Sequence, residues 1–220
     1  MPDQARVSTR FAAVLWAALR SIVPLGARRI AHILRQLPPT ARPEYLRWFL
    51  SSRLGSLAPL PDPVAIRTVV FVCHGNIMRS PMAAALLTRQ LAQHGAARTT
   101  TIASAGLHTQ RGAQPPALAL EAAAAFGVSL AEHRSLPLAT EVVDSADILL
   151  VMDLRNAAEL SSRWPGARPK VRLLGRLAAN GKTEILDPYG TDLATTMACY
   201  RQIADATEVL ATTLETAFHR

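Results

Sequence analysis

Thr68-Val69-Val70-Phe71-Val72-Cys73-His74-Gly75-Asn76-Ile77-Met78-Arg79-Ser80-Pro81 is the stretch on which the fold turns. Residues 68–72 are all β-branched or aromatic, the composition of a buried strand. Pro81 stands where the first turn of a helix tolerates proline, helical periodicity continues over residues 82–94, and Gly95 ends it. Strand, short loop and helix make the first half of a βαβ unit. The loop falls at the carboxyl end of the strand, where open parallel sheets place their ligand sites.

The same alternation continues outward. Residues 100–103 read as a second strand, 117–126 as an alanine-rich helix stopped by Gly127, 148–151 as a third strand and 171–174 as a fourth. Residues 193–218 form a closing helix with Leu193, Met197, Tyr200, Ile203, Val209, Leu210 and Leu214 at its apolar positions. The class this predicts is α/β: an open, twisted parallel sheet of about four strands with helices on both faces.

Upstream the character differs. Residues 1–67 hold ten arginines against three acids, a charge of +7, while the rest of the chain sums to +1 out of a total of +8. Residues 4–23 and 27–37 read as Arg-studded helical pieces separated by Pro24-Leu25-Gly26, and Pro38-Pro39 ends the second. Residues 44–54 read as another short helix, and 57–63 carry three prolines. The expected division is therefore a basic helical extension with a proline-rich linker, 1–66, followed by a catalytic domain, 67–220. The extension invites three roles: a cap on the domain, a peripheral contact with an anionic membrane face, or a dock for an acidic protein. The near-neutral domain argues against nucleic acid as a partner. No run reaches the roughly 20 apolar residues needed to span a bilayer, because Arg20 and Pro24 interrupt the one near residues 11–19. Cys73 and Cys199 are too few for a disulfide framework and lie in no zinc-type cluster, so the expected setting is a reducing cytoplasm with no metal and no cofactor.

The loop itself spells Cys-x5-Arg. Its backbone N–H groups and the following helix N-terminus can converge on an anion. Gly75 and Asn76 are residue types that tolerate the left-handed backbone such an inward curl requires. The same field favours the thiolate, which is the nucleophilic form of Cys73, and Ser80 offers the sulfur a hydroxyl. Arg79 presents a planar fork that matches two phosphoryl oxygens. Asp187, followed by the stiffening Pro188, supplies the carboxyl that a leaving oxygen needs as proton donor. Alone, Cys73 would read as a structural thiol and Asp187-Pro188 as a plain turn. Gly-Asn inside the loop, Ser-Pro after it and an apolar strand before it favour phosphate-ester chemistry.

At this point the chain resembles the low-molecular-weight protein-tyrosine phosphatases, over essentially the whole domain. The loop matches that family's nucleophile loop, and three more stations follow in order: Ser104-Ala105-Gly106 at a strand end, Met152-Asp153 with Asn156 after a strand, and Asp187-Pro188-Tyr189 as the general-acid loop. The resemblance implies a phosphomonoester hydrolase acting through a phosphocysteine. Cys73 would be the nucleophile, Arg79 the phosphate clamp and Asp187 the general acid and base. His74, Gly75, Asn76, Ile77, Met78, Ser80 and Tyr189 would line the phosphate and substrate site, with the side chains of Asn76, Ser104 and His133 buttressing the loop and Asp153 supporting the floor. Substrates would be phosphotyrosine proteins or other phosphomonoesters.

The chain also departs from the family. Met78 replaces a frequent second cysteine, His74 stands where Leu, Thr or Val is usual, and residues 108–116 lack the usual aromatic wall, leaving Tyr189 for that purpose. Two readings compete with the phosphatase. An arsenate reductase of the same fold would need relay cysteines, and none lies between Ser80 and Ala198. A non-catalytic anion-binding regulator would not need Cys73, Arg79 and Asp187 together.

Overall fold

The structure is a computed structural model that describes residues 25–94, 100–178 and 182–217. The chain divides into two compact units, Met1–Pro39 and Thr40–Arg220. The helix expected over residues 4–23 lies outside the described residues.

In the first unit, α1 spans Leu25–Gln36. Ile30, Ile33 and Leu34 share one half-buried face, while Arg28, Arg29 and Arg35 are exposed. Leu25 and Gly26, read from the sequence as a turn, instead open this helix. A glycine there costs about 1 kcal/mol relative to alanine, and the strong helix formers after it outweigh that loss.

The second unit begins with α2 (Arg42–Arg53), which lies against α6 (Leu154–Arg163). The Trp48 indole donates to Ser161 Oγ at 3.1 Å, and Arg168 forks onto Glu44 at 2.6 and 3.1 Å. The proline-rich stretch that reads as a linker is a fastened strap: Leu57 O accepts from Arg176 at 2.9 Å and Pro59 O from Arg172. Packing thus starts the sheet's unit at Thr40, upstream of the expected boundary near 66. Arginines far along the chain tie the strap down, and no local pattern announces them.

Four strands, β1 (Thr68–Cys73), β2 (Thr101–Gly106), β3 (Ile148–Val151) and β4 (Val171–Leu173), form one all-parallel sheet in the order β2-β1-β3-β4. Alternate residues Val69, Phe71, Ile148 and Leu150 pack on one face with α3 (Arg79–Gln93), α4 (Ala117–Ala125) and α7 (Leu193–Thr216). Met82, Leu86 and Leu87 of α3 meet Tyr200, Ile203, Leu210 and Leu214 of α7 in that core, and Ala119, Ala122 and Ala123 bring α4 close. Each fully buried Leu or Ile there contributes about 1.5–3 kcal/mol relative to exposure. On the opposite face α6 covers β3 and β4. The short α5 (Thr140–Ser145) and α6 were not expected from the sequence. β1 sends its chain to β2 on one side while β3 lies on the other, so the sheet's switch point is at the carboxyl ends of β1 and β3.

Candidate active site

The loop after β1 curls around the sulfur of Cys73. The Asn76 amide donates to Sγ at 3.2 Å, and Ser80 Oγ lies 3.0 Å from it. Asn76, at φ 50°, is the one non-glycine residue with positive φ among the described residues. Of the two residue types in the loop that tolerate this conformation, Gly75 and Asn76, only Asn76 adopts it. The strained backbone of Asn76 is held from every side. Its side-chain amide donates to Ser80 Oγ and Ser104 Oγ, both at 2.9 Å, and its Oδ1 accepts from the Leu136 amide at 2.8 Å. Its carbonyl lies 2.7 Å from His133 Nε2. Ser104 and His133, expected as buttresses, therefore both sit on Asn76.

Gly106 ends β2 beside this loop, and its need for glycine is steric. A Cβ there would lie 2.8 Å from the Thr109 methyl and 3.1 Å from the Asn76 amide nitrogen. Met78, the residue before α3, offers no side-chain cap, so the first-turn amides of a 15-residue helix face the loop uncapped. Those amides and the helix dipole make an anion site.

Arg79 is 2% exposed, and carboxylates fix its guanidinium. Nη1 donates to Asp153 Oδ2 at 2.7 Å and to Ile185 O at 3.1 Å, and Nη2 donates to Asp187 Oδ2 at 2.6 Å. Burial alone would lower its pKa, but Asp153, Cys73 and Asp187 more than reverse that, so it stays charged throughout the physiological range. Asp153 uses both oxygens structurally, because Oδ1 caps α6 by accepting from the Asn156 amide at 2.8 Å. Asp187 is 44% exposed at its side chain. Its loop turns through Gly190 at φ 74°, with Thr191 donating its amide to Pro188 O at 3.1 Å.

Cys73, His74, Gly75, Ile77, Met78, Arg79, Asp187 and Tyr189 line one pocket of about 360 Å³. Thr109, Gln110 and Ala113 complete its wall together with His108. Residues 108–116 bring no Phe, Tyr or Trp to the wall, and His108 stands there with its ring stacked on His74, centroids 4.6 Å apart. Burial lowers the His74 pKa, and neighbouring His108 lowers it further. Sequence reading missed the support under His108. Glu159 and Arg163 of α6 reach it from a helix that the sequence pattern did not reveal. Cys199 lies apart from the pocket lining, and burial pushes its thiol up to about 12, so it offers no second reactive sulfur near pH 7.

A buried arginine, an anion-cradling Cys-x5-Arg loop and a carboxylate facing the same pocket define a cysteine-dependent phosphatase site. Residues 68–219 match the low molecular weight phosphotyrosine protein phosphatase family, and the chain belongs to it. It is 37% identical over 128 residues, 58% of this chain and 82% of the relative, to a probable low molecular weight protein-tyrosine-phosphatase EpsP of Ralstonia nicotianae. It is 31% identical over 142 residues, 64% of this chain and 90% of the relative, to a protein-arginine-phosphatase of Bacillus subtilis. Among solved structures it superposes on the tyrosine phosphatase Wzb from Escherichia coli K30 in complex with sulphate. That match has a TM-score of 0.62 at 28% identity and covers 68% of this chain and 99% of that one.

Proposed function

We propose that the chain hydrolyses aryl phosphomonoesters, phosphotyrosine in proteins foremost, in two steps through a phosphocysteine on Cys73. The observation that carries this reading is the sulfur poised between the Asn76 amide and Ser80 Oγ in the pocket that Arg79 and Asp187 also line. In the first step the Cys73 thiolate attacks phosphorus, the ester P–O bond breaks, and Asp187 gives its proton to the leaving oxygen. In the second step Asp187 takes a proton from water, the water oxygen attacks phosphorus, and the S–P bond breaks to release phosphate and the thiolate. Arg79 holds the equatorial oxygens in both steps. A phosphoryl group seated there must share the guanidinium with Asp187, which turns that carboxyl from Arg79 toward the ester oxygen. Ile77, His74, His108 and Tyr189 give the ring an apolar and aromatic slot.

The test is hydrolysis of p-nitrophenyl phosphate in the presence of EDTA, with inhibition by vanadate and with phosphotyrosine and phosphoarginine peptides as competitors. Turnover that survives EDTA and prefers phosphotyrosine is expected. Arsenate-dependent thiol consumption without phosphate release would instead place the chain with the arsenate reductases, and preference for phosphoarginine would align it with its Bacillus relative.

Residues 67–220 hold the complete catalytic unit in this reading. In support, the solved relatives are covered almost end to end by about two thirds of this chain. A chain starting at Ile66 is expected to keep its kcat but to melt below one starting at Thr40, because it lacks α2 and its contacts to α6. A folded, inactive Ile66 chain would contradict this. No helix among the described residues is long and apolar enough to cross a membrane. The exposed Arg28, Arg29 and Arg35 of α1 suit a peripheral contact with anionic lipid. Co-sedimentation with phosphatidylserine liposomes should fall with salt and vanish in the chain starting at Thr40.

A further inference from the structure

Beside the catalytic groups, three metal-binding side chains converge from three separate elements. His74 comes from the loop after β1, His108 from the loop after β2, and Glu159 from the middle of α6. One ligand atom from each lies within 4.8 Å of the other two. We propose that His74, His108 and Glu159 form a site for a divalent transition-metal ion of the zinc type at the mouth of the phosphate pocket, and that filling it blocks hydrolysis reversibly.

The donor set selects the ion. Two imidazoles and one carboxylate suit Zn2+ and its neighbours, whereas Mg2+ and Ca2+ prefer all-oxygen sites. The approach of the two rings is built into the backbone, since the His108 amide donates to His74 O at 2.8 Å and the rings stack above that bond. Glu159 is only 7% exposed, and a buried carboxylate needs a positive partner. Arg163 fills that part: its Nη2 lies 3.2 Å from Glu159 and 2.9 Å from His108 Nε2. An ion at the site takes over this charge from Arg163. The guanidinium keeps an acceptor when displaced, because Nη1 donates to Leu107 O at 2.6 Å. His74 and His108 line the same pocket as Cys73 and Arg79, so an ion they share lies across the path of an entering phosphate ester.

Metal binding at this site is measured apart from turnover. Isothermal titration uses the tag-free full chain carrying Cys73→Ser, which removes the thiolate as a competing zinc ligand. Zn2+ is expected to bind at one equivalent and Mg2+ not at all. Adding His108→Ala, or His74→Gln in a second variant, is expected to weaken Zn2+ binding by about 10-fold or more. Loss of Zn2+ binding with Cys73→Ser alone would show that the thiol was the site, and unchanged affinity in both double variants would overturn the proposal. In the otherwise native chain, Zn2+ should inhibit p-nitrophenyl phosphate hydrolysis, with EDTA restoring it. His108→Ala should need about 10-fold more Zn2+ for half-inhibition relative to its own uninhibited rate. Equal sensitivity would overturn the inhibitory part. A chain without phosphatase activity would still give the titration result, so failure of the functional reading and failure of the metal site are separable.

Discussion

Cys73→Ser is expected to lower steady-state hydrolysis by more than about 100-fold while leaving inorganic phosphate bound nearly as well as in the native chain. The two halves of that result have separate physical sources. Turnover needs a nucleophile that is ionised and easily displaced, and a serine hydroxyl held by the Asn76 amide and Ser80 is neither. Phosphate binding draws on the loop amides, the start of α3 and Arg79, and needs no bond to the sulfur. Arg79 in turn is fixed by Asp153 and Ile185 O, which the substitution leaves unchanged. Titration of phosphate alongside a rate measurement reads both halves. Residual hydrolysis above about a hundredth of the native rate would remove Cys73 from the nucleophile's role.

Asp187→Asn is expected to cut kcat by about 10²–10⁴-fold for phenyl phosphates with basic leaving groups, and much less for those whose phenolate is stable without a proton. The structure adds a second expectation. Asp187 holds Arg79 Nη2 at 2.6 Å, so a neutral asparagine removes a competitor for the guanidinium. KM should therefore stay level or fall while kcat drops. A series of substituted phenyl phosphates separates the possibilities. A uniform loss across the series, with a raised KM, would mean that Asp187 only positions Arg79. Asp153 is a poor heir to the acid's role, since both its oxygens are engaged, one by Arg79 and one by the start of α6.

The strands and the catalytic loop were legible in the sequence because their signals are local. β3 lies where its apolar run ends, and β1 extends only one residue past the expected stretch, to Cys73 itself. The loop's chemistry could be read from residue types at fixed spacing, and the family resemblance pointed to Asn76, Ser104 and His133 as supports of the loop, though not to the contacts that Ser104 and His133 make with Asn76. What escaped notice was non-local. α6 begins just after the third strand, where its start is signalled only by Asp153, which also serves Arg79. The fastening of residues 40–66 depends on Arg168, Arg172 and Arg176, more than a hundred residues downstream. Nothing local to His108 announces its partner: a backbone bond to His74, from the other side of the loop cluster, places the rings together. Gly75 and Asn76 both tolerate the left-handed backbone, and only the closed loop decides that Asn76 adopts it.

The most direct test of the account is to trap the intermediate. The native chain and Asp187→Asn are mixed with a phosphotyrosine peptide, quenched in acid within a turnover and digested for mass spectrometry. The account predicts phosphate on the peptide that holds Cys73, in greater yield in Asp187→Asn because the water that clears the intermediate has lost its base. Product released with no phosphate on Cys73 in either protein, or phosphate carried by another side chain, would contradict it.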